Sequence, residues 1–564
     1  MATLEQSLLV AAALGLLTTL LLGVPRLGAL SPAQRRAAWV VAGLALVVLA
    51  VRWTVARPSF IHANLHGTGL TEAILDFPRL SSTRATYGQF SFLTLGAIAA
   101  ALGRRFEVIA AANQLFSVAT LGLMAWLAAR LARSSTAALW VLAVGGLHVA
   151  VVRVGASEDA HNLAMLLAAV ALLSADLYAE RPRRATLVVV TLAVVLMIHT
   201  RQTLYVLVPF VYLLLAARAS WRALLTPGPL VSMLVVAAAL IWRIAGTMSE
   251  ESERTSFIVM AIIARTPGAL GALLRHHPLF DVVRFGPAVP LLLLAGLAVA
   301  FSRRGPARVV GWAWLACLVI SLPTGWHTPG VEFSFRLPSV MLGVVLAGLG
   351  GAWLFERTPA WWLRGLLLSS VMVLPCLLPQ WTELQRESTD FQEYKHLRAQ
   401  LPLLPRELEL VAPPRRASRP SLESPVTTLR RAGIRVRLIE PGQPSLGLPR
   451  LLIPAIQCWG YGMAELVGFG DRSPNSVTTA ELRAWLPVLF DGALDGVLAV
   501  PGQRPECQAL LEGATPVGAA GQIVDAPQDI PFVLYGRGPI PLQLYLVRPA
   551  ATTPASAPVP TMEP

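Results

Sequence analysis

Apolar runs close to 20 residues recur through the first two-thirds of the chain, separated by short polar connections. The pattern predicts about twelve membrane-spanning helices, near 7–24, 37–54, 107–129, 136–152, 160–178, 185–199, 203–217, 227–244, 286–302, 309–322, 337–354 and 361–379. Runs of this length cross a hydrocarbon core of roughly 30 Å as helices. A helix satisfies its own backbone hydrogen bonds, which lipid cannot do. The first run carries Glu5 where a signal peptide has basic residues, so it reads as a membrane helix. "FSFLTLGAIAAALG", from Phe90 to Gly103, is too short to span and predicts a helix that lies along the outer surface or dips partly into it.

After Pro379 the period changes. "DFQEYKHLRAQL" reads as a helix, "ELELVA" as a strand, "SPVTTLRRAG" as a helix ending at Gly433 and "IRVRLI" as a strand. "TTAELRAWLPVLF" opens on a capping box, Thr478 with Glu481, and "GVLAV", "FVLYG" and "LQLYLVR" read as further strands. The expected division is a membrane domain over 1–379 with outer loops 55–106 and 245–285, an extracytoplasmic α/β domain over 380–548, and a disordered Pro/Ala/Thr tail over 549–564. The fold class is thus an α-helical polytopic membrane protein with a C-terminal soluble α/β domain.

Composition sharpens this picture. Hydrophobic residues make up 55% of the 564 and the mean hydropathy is +0.60, which excludes an ordinary soluble protein. The net charge of +14 comes almost wholly from arginine, Lys395 being the single lysine. These arginines lie between apolar runs and not among aromatics on a soluble face, so nucleic acid is not the expected partner. Every second connection is short and arginine-bearing: Arg26, Arg35 and Arg36; Arg130 and Arg133; Arg181, Arg183 and Arg184; Arg218 and Arg222; Arg303, Arg304 and Arg308; Arg357 and Arg364. Those connections are expected to be cytoplasmic, which puts the N-terminus and the C-terminal domain outside. Cys458 and Cys507 fall in that outer domain, where a disulfide persists if they pair.

With this orientation all nine histidines fall in outer loops, at outer ends of spans or in the C-terminal part. Titratable chemistry is therefore expected on the outer side. In the first outer loop, Glu72 and Asp76 are spaced i, i+4, so a helix over "GLTEAILDF" puts both on one face with Ile74 and Leu75 toward the membrane. A carboxylate at a dry boundary has its pKa raised, which suits a general base; a solvated acidic face fits the same spacing. His62 and His66 share the i, i+4 spacing that suits two metal ligands on one helix, although no third ligand stands at a defined spacing. "RVGASEDAHNLAMLL" puts Arg153, Glu158, Asp159 and His161 at an outer junction between spans, as a cavity wall or as helix-start acids capped by Ser157. "IHTRQTLYVLVP" puts Arg201 at an outer turn, and "TGWHTPGVEFSFRLPSVML" brings His327, Glu332 and Arg336 to the start of a span. Arginine's planar fork fits a phosphate, while snorkelling to headgroups is open to any outer arginine.

In order, these segments resemble the GT-C class of membrane glycosyltransferases, closest to bacterial protein O-mannosyltransferases and lipid A aminoarabinose transferases. Tyr87-Gly88-Gln89-Phe90 stands where that class has a "PPLY"-like motif, ahead of a surface helix and a span ending in basic residues. "IHTRQTLYVLVPFVYLLL" resembles its "LTRPTGLLLLP" turn and "FSFRLPSVMLGVVLAGLG" its "RYLLPALPFLALLAGLG" segment. The likeness covers roughly 37–380. One departure stands out. His66-Gly67 is present, but Ala63 and Asn64 occupy the place of the family's acid pair, and Glu72 and Asp76 lie further along.

The resemblance implies transfer of a sugar from a polyprenyl-phosphate-linked donor to a lipid, glycan or protein acceptor, on the outer face of a bacterial inner membrane. It implies Asp76, or failing that Glu72, as the base, and Arg84, Arg201 and Arg336 on the donor phosphate. His62, His66, Tyr87, Gln89, Glu158, Asp159 and His327 are further cavity candidates. Some members use a divalent metal, which leaves that cofactor open here. An inactive scaffold of the same fold and a transporter or flippase stand as alternatives. Against the transporter, the two halves show no repeat of one another.

Overall fold

The computed structural model describes residues 2–23, 32–58, 74, 89–247, 277, 279, 288–302, 305–322 and 329–372. Beyond these it describes 381, 384, 385, 389–411, 429, 430, 432–439, 447–452, 514–523 and 540–547. Among the described residues, helix lies within each of the twelve segments expected to span. In chain order these are α1 (Ala2–Gly23), α2 (Pro32–Val55), α4 (Phe106–Ala132), the bent pair α5 (Ser135–Leu147) and α6 (Val149–Gly155), α7 (His161–Glu180) and α8 (Arg184–Ile198). They continue as α9 (Val208–Arg218), α10 (Pro227–Thr247), α11 (Ala288–Ser302), α12 (Pro306–Ser321), α13 (Pro329–Arg357) and α14 (Trp361–Met372). The short helix α3 (Gln89–Leu102) lies where a surface helix was expected. It stops at Gly103, whose φ of +118° suits a residue without a Cβ.

Among the described residues, α4, α7 and stretches of α10 and α13 are long and apolar enough to cross a membrane alone, and α5 with α6 makes a fifth if counted as one broken span. In α13 the apolar stretch is 89% buried inside the bundle, whereas in α10 it is 22% buried. The first is the central post; the second turns most of its surface outward. Lipid gives no hydrophobic drive between helices, so close association depends on small residues and polar contacts. Glycine supplies the first. A Cβ on Gly296 of α11 would lie 1.8 Å from the Leu346 carbonyl oxygen of α13, and one on Gly350 would lie 2.0 Å from the Leu292 oxygen of α11. The second comes from Ser232 of α10, whose hydroxyl lies 2.7 Å from Thr191 Oγ1 of α8 and 2.9 Å from Tyr212 Oη of α9.

The run expected as one span over 136–152 departs from a straight rod. It bends by 67° at His148, whose backbone (φ −68°, ψ 116°) is extended. Proline is absent from this stretch, and only His148 itself interrupts the apolar residues at the bend.

Beyond residue 380, helix α15 (Thr389–Gln400) is followed by a five-stranded sheet of order β2-β1-β3-β5-β4. The strands are β1 (Glu407–Val411), β2 (Arg435–Ile439), β3 (Arg450–Leu452), β4 (Thr515–Ile523) and β5 (Ile540–Val547). β1 runs parallel to β2 and β3, while β5 runs antiparallel to β3 and β4. Alternation along β1 turns Leu408 and Leu410 into a core with Leu397, Leu404, Leu429, Leu451 and Leu544. The expected strands in "ELELVA", "IRVRLI" and "LQLYLVR" and the helix in "DFQEYKHLRAQL" match β1, β2, β5 and α15. Those in "GVLAV" and "FVLYG", the helix with Thr478, and Cys458 and Cys507 lie outside the described residues.

A buried polar cluster at the turns between spans

Asp159 and His161 stand at the turn that opens α7, both fully buried. Asp159 Oδ1 accepts the His161 backbone N–H at 2.7 Å, closing the helix start, and lies 2.7 Å from His161 Nδ1. Ser157, expected as the cap, instead accepts the Asp159 N–H at 3.2 Å. On the other side of the ring, Arg201 Nε donates toward His161 Nε2 at 3.3 Å, and Thr203 Oγ1 lies 2.8 Å from the same nitrogen. A nitrogen that accepts carries no hydrogen, so Nδ1 bears the proton and donates it to Asp159. Two donors share one lone pair, which accounts for the length of the arginine contact.

Arg201 belongs to the turn after α8. The residue two before it, His199, offers its carbonyl to the N–H of Phe90 at 3.1 Å, so this turn also holds the start of α3, where Gln89 stands. From α4, Asn113 Nδ2 donates to the Ser157 carbonyl at 2.7 Å and fixes the Asp159 turn from a third side. Glu158 and Arg153 are buried beside it.

A second group forms about two turns into α13. Arg336 is fully buried. One turn on, Ser339 Oγ donates to the Arg336 carbonyl at 2.8 Å and lies 3.1 Å from His277 Nε2. The Leu279 N–H donates to His277 Nδ1 at 3.2 Å, so Nε2 holds the ring proton and gives it to Ser339. Burial above all, then the charge of Arg336, keeps His277 well below the usual histidine range, consistent with a neutral ring. Pro338 has no N–H to offer the preceding turn, which loosens α13 beside Arg336.

The structure therefore joins Asp159 to Arg201 through His161, and Arg336 to His277 through Ser339. Asp76, Glu72, Arg84, His62, His66, Tyr87 and His327 lie outside the described residues. Ile74, expected to face the membrane, is 1% exposed and packs against Phe92 and Leu95 of α3 and Ile109 of α4. The sequence singled out His161 only as a neighbour of the acids, and it gave no signal for Thr203 or Ser339, whose hydroxyls stand at no defined spacing from their partners. Among the described residues no three His, Cys, Asp or Glu side chains gather as a metal site.

No protein-family model matches the sequence, and no curated protein sequence does so. The structure is similar to that of ArnT from Cupriavidus metallidurans bound to undecaprenyl phosphate, with a TM-score of 0.50 and 12% identity over 91% of this chain and 98% of that one. The apo crystal structure of the same protein gives a TM-score of 0.48 and 13% identity over 73% and 87%. With its apolar helices and the likeness to the undecaprenyl-phosphate-bound structure, the chain is a membrane protein with a GT-C-like fold.

Proposed function

We propose that this chain is an integral-membrane glycosyltransferase that moves a sugar from a polyprenyl-phosphate-linked donor to a lipid, glycan or protein acceptor on the outer face of a bacterial inner membrane. The observation that carries the reading is similarity along almost the full length to a protein crystallised with undecaprenyl phosphate. The buried Arg201 and Arg336, each at a turn or start of a span, support it. A buried cation in a membrane protein is costly unless it serves an anion or a fixed dipole.

In this reading Asp76, or Glu72, takes the proton of the acceptor hydroxyl. The oxygen forms a bond to the anomeric carbon as the bond from that carbon to the phosphate oxygen breaks, inverting the centre. Arg201, Arg336 and Arg84 stabilise the charge that collects on the departing lipid phosphate. The outer C-terminal domain helps to hold the acceptor.

The test is sugar transfer from a labelled polyprenyl-phosphate donor in membranes holding the wild-type chain, Asp76→Asn or Glu72→Gln. Loss of transfer in Asp76→Asn at normal expression supports the reading and its base. Full activity in both variants moves the base to Glu158 or Asp159. A wild-type chain that transfers nothing from any donor overturns the reading in favour of a non-catalytic scaffold.

A further inference from the structure

Arg52, near the end of α2, is fully buried, and its guanidinium donates to three neutral oxygens. Its Nε donates to the Gly146 carbonyl at 3.0 Å, one Nη to the Gly145 carbonyl at 2.8 Å, and the other Nη to Ser117 Oγ of α4 at 2.9 Å. Gly145 and Gly146 are the residues just before the bend at His148. In a continuous helix their carbonyls would accept the N–H groups of Val149 and Ala150. The bend leaves the last carbonyls of α5 without that ladder, at the end where the helix dipole is negative. A guanidinium from the neighbouring helix supplies both donors and the compensating charge.

The contact surfaces fit this role. Val48, one turn before Arg52 on the same face of α2, lies so close that a Cβ on Gly146 would come within 2.9 Å of it. A Cβ on Gly145 would come within 2.4 Å of Leu121 on α4. The paired glycines thus let α2 and α4 reach the backbone at the break. Beyond it, Gly155 at the end of α6 lies against Ser117, with a Cβ-to-Cβ distance of 3.3 Å for a side chain built there. Asn113, one turn earlier on α4, holds the Ser157 carbonyl. The face Asn113–Ser117–Leu121 of α4 therefore follows the broken span from its bend to the Asp159 turn.

We infer that Arg52 is a positioning residue: it clamps the open carbonyls of a broken membrane helix, and so fixes where α6 delivers Asp159 and His161 to Arg201. Its importance for transfer rests on the glycosyltransferase reading, but the clamp itself does not. The experiment is disulfide cross-linking of Ser117→Cys with Gly155→Cys in a chain whose four native cysteines are serine, in membranes, with Arg52 present or replaced. This pair lies near disulfide Cβ geometry only while α6 rests on α4, and the two carbonyl contacts of Arg52 survive the Ser117 change. With Arg52 the cross-link forms readily. In Arg52→Met it forms about tenfold more slowly or worse, the scale of a lost charge-assisted hydrogen bond. Arg52→Lys falls between, since an ammonium is a point charge without the fork that bridges two carbonyls; it carries the test if Arg52→Met is not recovered folded. Equal cross-linking in the folded variants overturns the clamp. In the transfer assay, Arg52→Met raises the donor KM, because Arg201 loses the partner that orients it, with partial rescue by Arg52→Lys. Intact cross-link differences with no transfer by any chain would sink the enzyme reading and leave the clamp standing.

Discussion

Arg201 reaches His161 across a gap of 40 residues in sequence, its Nε 3.3 Å from an imidazole whose other nitrogen is 2.7 Å from Asp159. The carboxylate sets the tautomer, and the tautomer leaves Nε2 able to accept from the arginine. His161→Phe keeps an aromatic ring, slightly larger, and removes the ring's bonds to Asp159, Arg201 and Thr203. Transfer should fall by about 10- to 100-fold, the range for losing a buried hydrogen-bond partner. Asp159→Asn should do the same by turning the imidazole round. The double variant should be no worse than either single one, because the residues act in series. Initial rates against donor concentration check this, and additive losses would break the series.

The proposed phosphate role of Arg201 and Arg336 separates charge from shape. Lysine keeps the charge but loses the planar fork. Arg201→Lys and Arg336→Lys should each raise the donor KM by about tenfold, as when one charge-assisted bond is removed. Lysine variants that match the wild type in both KM and kcat would remove these arginines from the donor site.

Glycine at the contact of α11 and α13 is expected to be indispensable. A Cβ at Gly296 or Gly350 would meet a backbone oxygen at 1.8 or 2.0 Å, and a backbone cannot swing aside as a side chain does. Gly296→Ala or Gly350→Ala should cost about 3 kcal/mol, the upper end for overpacking. Gly122 in α4, where a Cβ meets nothing within 4 Å, is the control. Gly122→Ala should be neutral or gain about 0.5–1 kcal/mol through helix propensity. Thermal unfolding in detergent measures all three.

Asp176 of α7 is fully buried and ion-paired to Arg130 of α4 and to Arg218 of α9, the latter at 3.4 Å. Arg130 also holds Glu180, one turn further along α7. These bonds join three helices at the ends expected to face the cytoplasm. Arg130→Met leaves the buried carboxylate with the longer contact alone and should destabilise by about 3 kcal/mol. Adding Asp176→Leu should restore much of the loss. A cycle of unfolding midpoints showing simple additivity would mean the charges do not couple.

Much of the helical layout was legible in run length, because lipid forces a chain that enters it to satisfy every N–H and C=O within a helix. The stop of α3 was legible for a similar reason, in a glycine that takes a left-handed backbone. In the sheet, β1, β2 and β5 show apolar alternation. β3 has only three residues, and β4, "TPVGAAGQI", is interrupted by Gly518 at φ +65° and a register shift, so its period is lost.

The polar cluster is different. The sequence by itself determined that charged residues collect at the turns between spans, since apolar surroundings exclude them elsewhere. It put Asp159, His161 and Arg201 at such turns without saying which turns meet. That was decided by tertiary packing, through close helix approach at Gly296 and Gly350 and bonds such as Asn113 to Ser157. The break at His148 is the clearest case: nothing in "VLAVGGLHVAVVRVG", apolar but for His148 and Arg153, supplies partners for its open carbonyls, and the donors that replace its missing helical bonds come from Arg52, some 94 residues earlier. Local sequence sets which backbone groups must find a partner; only the folded bundle decides which distant side chain provides it.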